Sequence, residues 1–223
     1  LDSLLEDSTG IHSASVRPVT IRHLMTHTSG IPYGEIGEKR FAKLYAKYGV
    51  NDTFPTDGRS TRDNIRRLAQ TGLAHQPGEA WTYGLGLDVL VAVMEVASGQ
   101  PYAEFLRTEL LDPLGMDHTA FVIPPEHQAD LVEVWEKDTA GAWQKHTHPK
   151  YTTDYPLRND WPMCAGGAGL TSSALDYARF LQMLVDKGAI PGGRLLEEST
   201  IDTLFADHAP GLIKDKMIEK NWH

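Results

Sequence analysis

The sequence predicts an α/β chain of the α+β kind, mostly helical with a little β. Two observations carry that reading. Apolar residues recur at helical spacing in several segments that open on capping residues and close on glycine. The best strand-turn-strand candidate is a single stretch, Leu131 to Lys145.

Taken in order, Thr20 is placed to cap a short helix with Ile21, Leu24 and Met25 on one side and Gly30 as its stop. Ser60 and Asp63 form a Ser-x-x-Asp start, followed by Ile65, Leu68 and Ala69 and a stop at Gly72. After Tyr83, residues Leu87, Leu90, Val91, Met94 and Ala97 fall at helical spacing, with Gly99 as terminator. Pro101 suits the first turn of a further helix that turns Phe105 and Leu106 inward and ends before Asp112-Pro113. In the Leu131–Lys145 stretch, Val132 and Val134 alternate with Glu133, Asp138-Thr139-Ala140-Gly141 supplies a turn, and Trp143 follows. Ser173 and Asp176 make a second capping box ahead of Tyr177, Phe180, Leu181 and Leu184, with Gly188 as the stop. Ser199 is expected to start a last short helix through Ile201, Leu204 and Phe205. Connections such as Asn51 to Gly58 and Tyr151 to Pro162 are rich in Pro, Gly and Asp, and the chain has no repeat or long linker.

Composition narrows the function classes. At 223 residues and 41% hydrophobic content, the chain is long enough for one well-cored domain. A net charge of -9 argues against an extended phosphate-binding surface, so nucleic acid is not an expected partner. No apolar run approaches the roughly 20 residues that span a bilayer. Cys164 is alone, so no intramolecular disulfide forms. That leaves the compartment open between cytoplasm and periplasm, because many exported bacterial enzymes also lack disulfides. The chain opens Leu-Asp-Ser-Leu-Leu-Glu-Asp, without an initiator Met or a leader pattern, which reads as a trimmed N-terminus or a fragment.

Several residue clusters invite chemical readings. Ser29 in His27-Thr28-Ser29-Gly30 lacks the Gly-x-Ser-x-Gly context of a nucleophile elbow. His23 and His27 have the i, i+4 spacing of a zinc pair, but Leu24 stands where a zincin needs Glu and no third ligand is evident. Packing and hydrogen bonding at a helix end is the better account, and no metal or other cofactor is expected. Gly166-Gly167-Ala168-Gly169 has neither the ending of a P-loop nor a dinucleotide fingerprint, so close backbone packing is the better reading. His146-Thr147-His148 is a weak chelator candidate in a polar loop, Trp161 is a candidate lining for an acyl pocket, and Arg66-Arg67 and Lys214 to Lys220 read as solvated faces.

Three segments together point further. Val19-Thr20-Ile21-Arg22-His23-Leu24-Met25-Thr26-His27-Thr28-Ser29-Gly30, Trp81-Thr82-Tyr83-Gly84-Leu85 and Gly166-Gly167-Ala168-Gly169-Leu170 resemble the serine β-lactamase/penicillin-binding-protein superfamily, in that family's order. The branch they are most similar to is the class C-type (family VIII-like) carboxylesterases. The resemblance implies a β-lactamase/transpeptidase-like fold, here mostly its helical subdomain plus part of its antiparallel-sheet domain. It also implies a small-molecule ester or amide substrate and an acyl-enzyme, with Tyr83 as general base. A tyrosine serves so only when a neighbouring ammonium draws its pKa well below about 10. In the family that ammonium belongs to a Ser-x-x-Lys motif, and no serine here has a lysine three positions later. The chain therefore reads as an incomplete domain over residues 1–223, its nucleophile expected before Val19 and the family's third motif after His223. By the same resemblance Gly166 and Gly167 wall the substrate cleft. Leu85 sits there in place of the Asn of Tyr-x-Asn, which favours esters over β-lactams. Other readings are a β-lactamase or D-Ala-D-Ala peptidase, and a non-catalytic binding or scaffold domain. Oligomeric state is not legible.

Overall fold

The computed structural model describes residues 4–6, 12–34, 36–37, 39–52, 58–146, 155–157 and 163–212. A short antiparallel ribbon, β1 (Leu4–Glu6) with β2 (His12–Ala14), leads into the helical body. There α1 (Ile21–Met25), α2 (Lys39–Tyr48), α3 (Thr61–Leu68) and α4 (Gly86–Ser98) surround one core. Leu24, Ile31, Phe41, Tyr45, Leu68, Leu73, Leu85 and Val89 are all buried in it, and α4 packs on α1 and α3.

The expected caps form. Thr20 accepts from His23 N–H, and the His23 ring answers by accepting from Thr20 N–H, a reciprocal box that holds α1 despite its five residues. Ser60 accepts from Asp63 N–H at the start of α3, and Gly99 closes α4 at φ 73°. Behind the α3 cap, the Asn64 side chain exchanges two 2.8 Å bonds with the Asn51 backbone while fully buried, which pins the loop before α3.

Elsewhere the structure corrects the expectations. Only Leu24 of the α1 stripe is buried; Ile21 and Met25 stand exposed. In α4 the buried positions are Gly86, Asp88, Val89 and Val91, not a ridge running out to Ala97. The helix α5 (Tyr102–Leu106) does not stop before Asp112-Pro113. It widens into a π-turn at Arg107–Leu111 and runs on as α6 (Asp112–Leu114). A wider turn accommodates a proline that has no N–H and would collide with the carbonyl four residues back.

The second half is more open. A hairpin of β3 (Trp135–Lys137) and β4 (Trp143–Lys145) pairs Trp135 with Lys145 and Lys137 with Trp143. Its turn is held by the Asp138 carboxylate, which accepts from Ala140 and Ala142 N–H. Val132 and Val134 lie outside the strand and are exposed. Ser173 caps α7 (Ala174–Val185), and a small ribbon of β5 (Ala189–Ile190) and β6 (Gly193–Arg194) turns the chain into α8 (Glu198–Leu204). Helix α8 starts at Glu198 without a side-chain cap, so Ser199 lies inside its first turn. Asp176, fully buried, ties α7 to the loop after α6: it accepts from His118 N–H and the Thr119 hydroxyl, and from the Arg179 guanidinium of its own helix. Leu175, Tyr177, Leu181 and Val185 of α7, Leu204 of α8 and Phe205 just after it remain exposed, and Leu181, Val185 and Phe205 line one shallow apolar depression. Among the described residues no helix is long and apolar enough to cross a membrane.

Candidate active site

Tyr83 lies in the extended stretch that feeds α4, and its backbone is fixed on both sides. Thr82 N–H donates to the His27 carbonyl (2.8 Å) and the Tyr83 carbonyl accepts from Tyr33 N–H (3.3 Å). His75 adds a clamp. Its Nδ1 contacts the Gln76 carbonyl, which only accepts, so Nδ1 carries the proton and Nε2 accepts from the Thr82 hydroxyl at 2.9 Å. Gly84 completes the turn by close approach, since a Cβ there would meet the Ile31 carbonyl at 2.0 Å. The Tyr83 ring rests on His27 (centroids 5.1 Å) and Tyr33 (5.2 Å) and stacks on Trp81 (6.2 Å). At 37% exposure it stands at the surface, not in the core.

The glycine run arrives at the same place. A Cβ on Gly166 would lie 2.1 Å from the Leu87 carbonyl, so the run presses directly on the first turn of α4. Gly166 N–H donates to Asp88 Oδ1 at 3.1 Å. Next to it, a Cβ on Gly167 would meet the Tyr33 hydroxyl at 2.8 Å. Tyr33 thus touches both expected motifs: its ring leans on Tyr83 and its hydroxyl covers Gly167. The sequence pattern singles out neither Tyr33 nor Asp88. Burial, then the negative charge of Asp88, pushes the Tyr33 phenol well above its ordinary value, so it stays protonated and serves as a hydroxyl. Burial likewise pushes the Asp88 carboxyl up to about 6, against the opposing pull of its Gly166 bond.

Other expected residues fall elsewhere. Leu85 is 2% exposed and sits in the hydrophobic core, so its side chain packs the fold instead of lining an open cleft. Trp161, Thr147, His148 and Lys214 to Lys220 lie outside the described residues. His146 is bonded to Glu136 (2.8 Å). Ser29 is buried at 1%, with Ile31 N–H donating to its hydroxyl. His23 serves the α1 cap, while His27 sits past the helix end at φ 54° with its ring edge-on to Trp81. Burial lowers the His27 pKa and keeps the ring neutral. Cys164 is no activated nucleophile either, because burial pushes its thiol up to about 11.

The chain as a whole has relatives. The Beta-lactamase family profile matches residues 13–222. The chain belongs to the β-lactamase family. Among family relatives, it is 34% identical over 200 residues to "Esterase EstB" of Burkholderia gladioli, covering 86% of this chain and 49% of that protein. It is 27% identical to "Lovastatin esterase" of Penicillium rubens, covering 93% and 49%. Among solved structures it matches "EstCE1, a hydrolase with promiscuous acyltransferase activity" at a TM-score of 0.74 and 25% identity, over 93% of this chain and 54% of that one. The fold of the LovD6 mutant of simvastatin synthase (LovD) from Aspergillus terreus also superposes, at a TM-score of 0.69 and 24% identity, over 92% of this chain and 46% of that one. The chain spans about half the length of the curated relatives it matches.

Proposed function

We propose that this chain is the tyrosine-bearing, mainly helical part of a serine hydrolase that cleaves carboxylic esters or passes their acyl group to another acceptor. One observation carries the reading: Tyr83 stands exposed at the point where the Gly166-Gly167 run meets α4, with Tyr33 joining the two. The esterase and acyltransferase relatives named above favour that chemistry over a scaffold role. In this mechanism a serine hydroxyl attacks the acyl carbonyl and Tyr83 takes its proton. The leaving alcohol is then protonated, and water or a second alcohol resolves the acyl-enzyme.

The serine and its lysine come from a part of the full-length protein outside these 223 residues, which together form one incomplete domain. The half-length match and the uncovered apolar face of α7 and α8 support that division. A small ester is favoured over a β-lactam because Leu85 offers no amide and faces the core. The test is a panel of p-nitrophenyl esters, nitrocefin and a D-Ala-D-Ala peptide on the full-length protein, with Tyr83→Phe beside it. Ester turnover that Tyr83→Phe abolishes is the expected result. Wild-type turnover in Tyr83→Phe removes the base assignment, and turnover of nitrocefin alone removes the ester assignment.

A further inference from the structure

Asp88 is an odd residue for its place. It lies in the first turn of α4 between Leu87 and Val89, 3% exposed, where an apolar side chain is the ordinary occupant. One carboxylate oxygen, Oδ2, has no hydrogen-bond partner among the described residues, and a buried carboxyl with such an oxygen destabilises the fold. What Asp88 does reach, beyond its own backbone N–H, is Gly166 N–H, across 78 residues of chain.

The two contacts at this junction divide the work. The Leu87 carbonyl is a hard stop, since it leaves no room even for a methyl group on Gly166. Repulsion of that kind limits approach but holds nothing in place. The Asp88 bond supplies the attraction that keeps Gly166 against the stop. Gly166 is followed by Gly167, which meets the Tyr33 hydroxyl, and Tyr33 leans on Tyr83. The separation between the glycine wall and the tyrosine is therefore set where Asp88 grips.

We propose that Asp88 is a positioning residue, one that fixes the Gly166-Gly167 wall relative to Tyr83 through the bond it accepts from Gly166 N–H and touches no substrate itself. The inference rests on the esterase reading for its catalytic consequence, but its structural content is measured separately. Asn keeps an acceptor oxygen at the same place, whereas Ala removes it. The full-length protein is therefore examined as wild type, Asp88→Asn and Asp88→Ala, by p-nitrophenyl butyrate kinetics and by amide hydrogen exchange of the peptide covering 163–170.

The expected result is a fall in kcat/KM of about tenfold or more in Asp88→Ala, mostly in kcat, as a displaced wall spoils the reacting geometry. The 163–170 peptide then exchanges faster in Asp88→Ala, while Asp88→Asn stays close to wild type in both measurements. Unchanged exchange of 163–170 in Asp88→Ala overturns the proposal, whatever the activity. So does an equal loss in both variants, which marks a need for the charge or for generic packing. If the wild type turns over no ester, the esterase reading falls. The exchange arm then decides alone: faster exchange in Ala but not in Asn upholds the positioning role.

Discussion

Replacing Asp88 by Asn gives a stability difference whose pH dependence can be worked out beforehand. The carboxyl is moved from an ordinary 3.8 up to about 6, chiefly by burial, with the charge of Asp52 adding to it. Tyr33 and Tyr155 are the other titratable groups that feel its charge, and both are held protonated. Because the folded state holds the Asp88 proton more tightly than the unfolded chain, its stabilising contribution is complete below the ordinary 3.8. That contribution is lost as the pH rises through about 6. At about 1.4 kcal/mol per tenfold change in acidity, the penalty above that range is on the order of 3 kcal/mol. Asn carries no such penalty. Its NH₂ in place of the unpartnered oxygen has a cost of its own, but that cost does not vary with pH and drops out of the comparison. Wild type should therefore gain on Asp88→Asn as the pH falls from about 7.5 to about 4. For a protein the length of its relatives, unfolding entropy is on the order of 1 kcal/mol/K, so the gain in melting midpoint is roughly 3 °C. Parallel thermal melts of the two full-length proteins across the pH series measure it. A midpoint difference that stays flat over the series would show that Asp88 is not a buried, burdened carboxylate, and the reasoning fails there.

Other perturbations follow from named contacts. Tyr83→Phe in the full-length protein should lower ester turnover by about a hundredfold or more at unchanged stability, measured by kcat alongside a melt. Gly166→Ala should cost kcat/KM about tenfold or more, because its Cβ meets the backbone carbonyl of Leu87 and no side chain can swing away. Gly193→Ala, with nothing within 4 Å, is the control that should leave kcat/KM unchanged. Asp176→Ala leaves the His118 N–H without its acceptor and takes one partner each from the Thr119 hydroxyl and Arg179, and should destabilise by about 2 kcal/mol in urea titration. The 223-residue chain alone should bind a hydrophobic dye through the α7 and α8 face, and Leu181→Glu with Phe205→Lys should reduce that binding.

Elements with strong local signals were legible in the sequence. Thr20, Ser60 and Ser173 each bond the backbone three residues on, a signal fully contained in four consecutive residues. Where boundaries moved, the cause was not local. Pro113 reads as a breaker, yet the π-turn before it absorbs the missing N–H and the helix continues. Val132 and Val134 carry β-propensity but precede the strand, Val134 adding only a carbonyl that accepts from His146 N–H, whereas Trp135 and Lys137 sit in the ladder itself.

The candidate site divides the same way. Tyr83 and Gly166-Gly167 are visible as short motifs, but the side chains that join them are not. Tyr33 reads as one more aromatic beside an apolar run, and only the fold sets its ring on Tyr83 and its hydroxyl over Gly167. Asp88 is harder still. On a helix whose apolar stripe reads as Leu87, Leu90, Val91, Met94 and Ala97, a carboxylate is by default on the wet side. The buried face is instead Gly86, Asp88, Val89 and Val91. Gly86 is buried for its own reason: a Cβ there would meet the Leu24 carbonyl at 2.8 Å, so α1 comes close to the start of α4. Two positions on, and so on another side of the helix, the Asp88 carboxyl takes the Gly166 N–H. What a helical pattern cannot show is the partner that the buried carboxyl meets, a glycine 78 residues away, and removing that carboxyl should loosen the wall beside Tyr83.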